Sequence, residues 1–115
     1  DINEWLEKLC WLSADQKVQV HFELQEQIKA HYKLRAEAEG DHLERAIQLC
    51  EQSVTFAPLA FKALKEKWER DFPGQEFFVP AHHGYRQLIT IMKKRKDMSR
   101  VKELQSKRDA EGWAE

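Results

Sequence analysis

The stretch that decides the fold is residues 80–113, which read PAHHGYRQLITIMKKRKDMSRVKELQSKRDAEGW. In two segments of this stretch, apolar residues recur every three or four positions, which is the pattern of a helix with one apolar face. A short polar joint separates the segments and predicts two antiparallel neighbouring helices. Such a hairpin cannot bury its apolar stripe alone, so it requires further helices beside it. The apolar positions are Tyr85, Leu88, Ile89, Met92, Met98, Val101 and Leu104.

Composition places the chain among single helical domains. It has 115 residues, of which 42% are hydrophobic and 34% are charged, which favours a folded domain over a disordered segment. No run of 18 apolar residues and no secretory leader is visible, so we expect a cytoplasmic protein without a membrane span. In a reducing compartment, Cys10 and Cys50 are expected to be free thiols buried on the apolar sides of helices.

Capping signals predict where the first two helices begin. Asp1 is followed three residues later by Glu4, and Ser13 by Gln16. This spacing is typical of a capping box, in which each side chain bonds the backbone N–H of the other residue.

Glycine and proline divide the middle of the chain. Gly40 is suited to end the second helix, and Asp41 with Glu44 to begin the third through a capping box. Pro58 disfavours the α conformation in the residue before it and fits a first helical turn. We therefore expect one helix to end near Pro58 and another to begin there. The predicted helices are 1–12, 14–39, 41–57, 58–72, 81–94 and 98–110.

These elements predict an all-α fold of five or six helices in antiparallel pairs. One domain is expected over residues 1–115, with N-terminal helices in 1–39, middle helices and a connector in 40–79, and a C-terminal hairpin in 80–113. The tryptophans of the amphipathic segments are expected to anchor the core, and Trp113 to pack back onto the last helix. The expected core contains Tyr85, Leu88, Met92, Val101 and Leu104, joined by Trp68 or by the pair Phe77 and Phe78.

The chain resembles the tetratricopeptide-repeat (TPR) family, which is built from 34-residue helix-turn-helix units. The residues that carry the resemblance are Tyr85, Leu88 and Met92 in a first helix, the turns Gly40-Asp41 and Lys96-Asp97, and Ala46, Val101 and Pro58. The run from Pro80 through His82, Gly84, Tyr85 and Leu88, closed by Gly112-Trp113, is also similar to bacterial TPR-like proteins. The resemblance covers about 80 residues and implies a right-handed helical stack that binds a protein or peptide.

By this resemblance, side chains of the first helix of each unit line a concave surface. The residues expected to contact the partner are His83, Arg86, Thr90 and Lys93 in the last unit, and Gln27, His31 and Leu34 in the earlier one. Arg86 and Lys93 are seven residues apart and so project from one side of their helix. We expect an acidic protein or peptide partner, and we expect either a second copy of the chain or the rest of a longer chain to complete the stack.

Catalysis, cofactors and metals are not expected. Adjacent His82 and His83 point about 100° apart on a helix, and no third ligand lies nearby in the sequence. The serines and cysteines fall on caps or helical faces, without the base and acid that would activate a nucleophile. The four glycines are isolated, so no phosphate-binding loop is present.

A basic C-terminal third leaves a second function open. Residues 81–115 carry a net charge of +4 and residues 1–80 a net charge of −5. Such asymmetry is typical of a face for an acidic partner, or of two ends that attract each other. The alternative function is therefore a nucleic-acid-associated helical protein, although aromatic residues do not interleave the cations and no base-reading motif is present. The cations are Lys93, Lys94, Arg95, Lys96, Arg100, Lys102, Lys107 and Arg108.

Overall fold

Five α-helices form the regular structure of the chain, all 115 residues of which are described by a computed structural model. They are α1 (Ile2–Leu9), α2 (Ala14–Lys33), α3 (His42–Asp71), α4 (His83–Lys94) and α5 (Met98–Glu111). The only strand-like pairing is one isolated parallel bridge between Ala81 and Ala114. The predicted all-α class is confirmed, with five helices, and the TPR-like stacking of these helices stays a prediction.

Side-chain caps begin the first two helices, but the predicted capping box is complete only at Ser13 and Gln16, and Glu4 makes no return bond to Asp1. The carboxylate of Asp1 accepts hydrogen bonds from the backbone N–H groups of Asn3 and Glu4. Ser13 and Gln16 form a complete capping box, with bonds of 3.1 and 2.9 Å. These bonds satisfy N–H groups that the first turn of a helix leaves without partners.

Two predicted boundaries are wrong because the chain turns earlier than expected. Helix α1 ends at Leu9 and α2 at Lys33, although residues 12 and 39 were the predicted ends. The predicted capping box of Asp41 is also absent, because Asp41 has φ 45° and makes no side-chain cap bond. Capping requires an extended backbone at that residue, which the left-handed turn does not provide.

Helix α3 runs without interruption through Pro58, so the predicted division into two helices at this residue is wrong. Proline has no N–H, which leaves the carbonyl of Val54 without its helical donor. The Lys107 ammonium on α5 donates to this carbonyl over 3.0 Å. A side chain 53 residues away from Val54 thus satisfies the group that proline left unpaired, and the helix continues to Asp71.

The helices pack as two antiparallel hairpins, α2–α3 and α4–α5, and the second lies against α3. Arg70 near the end of α3 pairs with Asp15 near the start of α2 at 2.9 Å, and His42 at the start of α3 lies beside His31 near the end of α2. The α4–α5 hairpin covers another side of α3, and α1 packs across it. Because α3 is about 45 Å long at 1.5 Å per residue, it accounts for the longest dimension of the molecule, 49 Å.

The core forms around α3. All five residues predicted for it are buried, namely Tyr85, Leu88, Met92, Val101 and Leu104. They pack in one cluster with residues that include Ile28, Leu49, Phe56, Cys50 and Trp113. Trp113 packs back as predicted, since Gly112 takes the left-handed conformation that ends α5.

Four residues that were predicted to be buried or to join the core, three aromatic and one thiol, lie outside it. Trp11 is 90% exposed and Cys10 is exposed, because α1 ends before either residue could join its apolar stripe. Trp68 lies outside the central cluster, where it contacts Phe72 and Phe77. Phe78 is 76% exposed and is therefore not a core residue.

Candidate functional site

The exposed face of α4 carries three of the residues predicted to contact a partner. Arg86, Thr90 and Lys93 are all exposed, and their spacing places them on one side of the helix. The side chains of Arg86 and Lys93 form no hydrogen bond or ion pair within the chain. The Thr90 hydroxyl donates to the carbonyl of Arg86 at 3.0 Å, so it serves the helix backbone. The structure therefore brings two free cations together on one surface.

His83 lies at the edge of this face and is half-buried against α2. Burial, followed by the positive charges of Lys29 and Arg86, lowers the pKa of His83 below its ordinary value. Its Nε2 atom has no hydrogen-bond partner. This imidazole is therefore neutral at pH 7 and adds no charge to the exposed face.

The three predicted residues of α2 face away from α4. The Nδ1 atom of His31 lies 3.0 Å from that of His42 on α3. Leu34, just after the end of α2, lines the same open depression as His42, and Gln27 lines another depression together with Gln52 of α3. The structure therefore does not bring these residues together with the predicted residues of α4.

The flank of α2 that does meet α4 is one residue out of phase with the prediction. Tyr32 follows His31, and its hydroxyl accepts a hydrogen bond from Lys94 of α4 at 3.1 Å. Neighbouring helical residues point about 100° apart, so a shift of one position moves the contact to another side. The sequence signal for Tyr32 was its aromatic ring within the apolar stripe of α2, which could have marked the side facing another helix.

A small pocket lies where α2, α3 and α4 meet at this tyrosine. Its volume is about 170 Å³, and Leu43 and Ile91 supply its apolar side chains. Arg35 and Lys94 approach the ring of Tyr32, with the Arg35 guanidinium carbon 4.1 Å from the ring centroid. The hydrogen bond from Lys94 is the main cause that lowers the pKa of the Tyr32 hydroxyl. The lining residues are Tyr32, Arg35, Leu43, Ile91, Lys94 and Arg95.

The cations of α5 serve contacts within the fold. Arg100 binds both carboxylate oxygens of Glu51 at 3.0 and 2.8 Å and also contacts Glu103. Arg108 pairs with Asp109 at 3.0 Å. The basic sequence cluster is thus divided between α5, where most cations have acidic partners, and the end of α4.

Lys107 belongs to a polar network around Tyr85. Besides the Val54 carbonyl, its ammonium donates to the Tyr85 hydroxyl at 2.9 Å and to a carboxylate oxygen of Glu111 at 2.5 Å. The Tyr85 hydroxyl donates to the second oxygen of Glu111 at 2.9 Å, and the Trp113 indole N–H donates to the same oxygen. Burial, followed by the hydrogen bond to Glu111, raises the pKa of Tyr85 above its ordinary value, so the phenol stays protonated.

Two buried histidines meet at the start of α4. His82 and His21 have ring centroids 5.2 Å apart, and both rings contact Trp113. The Nδ1 atom of His82 accepts the backbone N–H of Tyr85 at 3.0 Å, which confirms that His82 caps the helix. Burial lowers the pKa of His21 to about 4 and, as the main cause, that of His82 to about 3. The two rings therefore support the fold as neutral groups.

Comparison with protein-family models, with curated proteins and with solved structures gives no match to this chain. No helix has the length and apolar character required to cross a membrane. The exposed face of α4 and the adjoining pocket are therefore the features on which a functional assignment rests.

Proposed function

We propose that the chain is a non-catalytic module that binds a protein or peptide through the exposed face of α4. The observation that carries this proposal is the pair Arg86 and Lys93, two exposed cations on one side of a helix with no partner in the chain. Seven residues at 1.5 Å per residue separate them by about 10 Å along the axis. An acidic segment laid along α4 would meet both through charge-assisted hydrogen bonds.

The surroundings of this pair support an extended ligand over a compact one. The face is open, and Thr90 between the two cations is exposed and already hydrogen-bonded to the backbone. An extended chain advances about 3.3 Å per residue, so acidic residues three positions apart would match the spacing of Arg86 and Lys93. The TPR-like classification, a cytoplasmic location and association with a second copy stay parts of the same proposal. The contacts predicted for Gln27, His31 and Leu34 stay predictions for a separate surface.

The alternative of nucleic-acid association has less support. Phosphate binding requires several cations free to face one backbone, whereas Arg100, Lys107 and Arg108 of α5 bind groups of the chain itself. Of the cations of α5, only Lys102 has no partner within the chain, so this helix does not offer the row of free cations that a nucleic-acid backbone requires.

Selection from a random peptide library tests the proposal. The full chain should enrich peptides with acidic residues about three positions apart, and the Arg86→Glu, Lys93→Glu double variant should bind them at least tenfold more weakly. Lys62→Glu with Lys65→Glu is the matched control, because it makes the same charge change at two exposed positions of α3. Circular dichroism should show an unchanged helical content in both variants.

Two results would count against the proposal. One is the selection of peptides without acidic residues, or of none. The other is equal loss of binding in the α3 control, which would make the effect one of net charge alone. Tighter binding of a random oligonucleotide than of any peptide, with a steep dependence on salt, would favour the nucleic-acid alternative.

A further inference from the structure

The pocket at the C-terminal end of α4 has a size and a lining suited to binding one side chain. Its volume of about 170 Å³ is more than one ordered water needs, so a side chain can enter it. Leu43 from α3 and Ile91 from α4 make its apolar part, and the ring of Tyr32 adds an aromatic surface. An aliphatic side chain of four carbons fits such a space and would remove apolar surface from water.

Three cations, Arg35, Lys94 and Arg95, surround the apolar part of the pocket, and only one of them has a carboxylate partner. Arg95 pairs with Glu44 at 2.8 Å. Arg35 and Lys94 have no carboxylate partner within the chain. Because like charges repel, this rim favours a ligand that brings negative charge.

Tyr32 holds the two unpaired cations in place before any ligand arrives. The Arg35 guanidinium lies over the ring and donates to the backbone carbonyl of Tyr32 at 2.9 Å. The Lys94 ammonium donates to the hydroxyl of the same residue at 3.1 Å. A preorganised cation loses less conformational freedom on binding than a mobile one.

We propose that this pocket receives an aliphatic side chain of the partner peptide, whose neighbouring acidic residues bind Arg35 and Lys94. The inference rests on the proposed function and adds a requirement on the sequence of the partner peptide. Lys94 follows Lys93 in the last turn of α4 but points to the neighbouring side of the helix, so the pocket lies on the flank of α4 beside the C-terminal end of the exposed face. We therefore expect a peptide that meets Arg86 and Lys93 with acidic residues to turn toward this flank beyond Lys93, where its next aliphatic residue enters the pocket.

Blocked synthetic peptides test this requirement directly. The first probe is an acetylated and amidated heptapeptide that has two glutamates three positions apart for Arg86 and Lys93, a leucine directly after the second, and one further glutamate after the leucine for Arg35 and Lys94. The second probe replaces the leucine with serine, and the third replaces the glutamates with glutamine. Blocked ends ensure that no terminal carboxylate contributes. Binding to the full chain is followed by fluorescence anisotropy and by ¹H–¹⁵N correlation spectra.

The leucine peptide should bind at least about fivefold more tightly than the serine peptide, and it should shift the amide signals of Leu43 and Ile91. In the Arg35→Gln, Lys94→Gln variant, this preference for leucine should fall below twofold. Equal affinity for the leucine and serine peptides would overturn the pocket inference while the proposed function stands. Failure of both acidic peptides to bind more tightly than the glutamine peptide would overturn the proposed function as well. Shifts at Leu43 and Ile91 caused by inorganic phosphate alone, and not by the leucine peptide, would also overturn the pocket inference.

Discussion

At the scale of single residues, His82 can cap the start of α4 only while its ring is neutral. Its Nδ1 atom accepts the backbone N–H of Tyr85, so this nitrogen must carry no proton. Its Nε2 atom is buried without a partner, as is the Nδ1 atom of His21 close by. A charge on either ring would lie in a space closed by Trp113, where no anion faces it. Burying such a charge is strongly unfavourable.

We predict that the free energy of unfolding falls as pH drops from about 6.5 to about 4. The pKa values of His21 and His82 in the folded chain are about 4 and about 3, below the ordinary value of 6.5. Above pH 6.5 neither state binds these protons, so the stability is fully present. Below it the unfolded chain takes them up first, with a slope of up to about 2.7 kcal/mol per pH unit for two protons. Urea denaturation at a series of pH values measures this slope.

A variant without the two titrating groups isolates their share of the slope. His21→Gln combined with His82→Asn retains a side-chain acceptor for the first turn of α4, since asparagine is a good N-cap residue. The slope between pH 6.5 and 4 should be clearly smaller in this variant than in the parent chain. Equal slopes would show that exposed carboxylates, and not the buried histidines, set the acid sensitivity.

At the scale of the helices, signals within a few residues predicted some helix ends and missed others. The capping box of Ser13 and Gln16 was found from spacing alone, whereas the equally local signals of Gly40 and Asp41 marked neither the end of α2 nor a capping box. The failure at Pro58 has a different cause, because the donor that repairs the helix is Lys107 on another helix. No local pattern around Pro58 contains that information.

We predict that the contributions of Lys107 and Pro58 to stability are coupled. Lys107→Met should lower the free energy of unfolding by about 2–4 kcal/mol, since it leaves the Val54 carbonyl without a donor and removes the positive charge that pairs with the nearly buried carboxylate of Glu111. In a Pro58→Ala background the same change should have a smaller effect, because residue 58 then donates its own N–H to Val54. Urea denaturation of the four chains in this cycle measures the coupling. Additive effects within about 0.3 kcal/mol would contradict it.

At the scale of the whole molecule, the packing of α4 against α3 and α5 sets which of its side chains are exposed. Arg86 and Lys93 are exposed on one side of α4, where the sequence placed them, because the strong apolar stripe of α4 fixes the rotation of this helix. The predicted α2 residues lie on the other flank, because α2 has a weak apolar stripe that does not fix its rotation. Tyr32 lies one position after His31, and Arg35 one position after Leu34. Tyr32 and Arg35 line the pocket, whereas the two predicted residues do not.

Three of the four tryptophans lie in different environments, so replacing each with alanine should lower the stability of the fold by a different amount. Trp113→Ala should lower the free energy of unfolding by about 3–5 kcal/mol, because Trp113 is buried among Phe61, His21 and His82. Trp68→Ala should lower it by a smaller amount, since Trp68 is half-buried outside the central cluster. Trp11→Ala should change it by less than about 0.5 kcal/mol. Thermal and urea denaturation of the three variants measure this order, and a larger loss at Trp11 than at Trp113 would contradict it.

The central claim is that charge on the exposed face of α4 selects the ligand, and an exchange of charges tests it most directly. The measurement is the affinity, by fluorescence anisotropy, of one acidic peptide from the selection and of its counterpart with lysine in place of each glutamate or aspartate. The parent chain should prefer the acidic peptide by at least tenfold, and the Arg86→Glu, Lys93→Glu variant should prefer the lysine peptide. A variant that keeps the parent preference for the acidic peptide, with its helical content unchanged, would contradict the account.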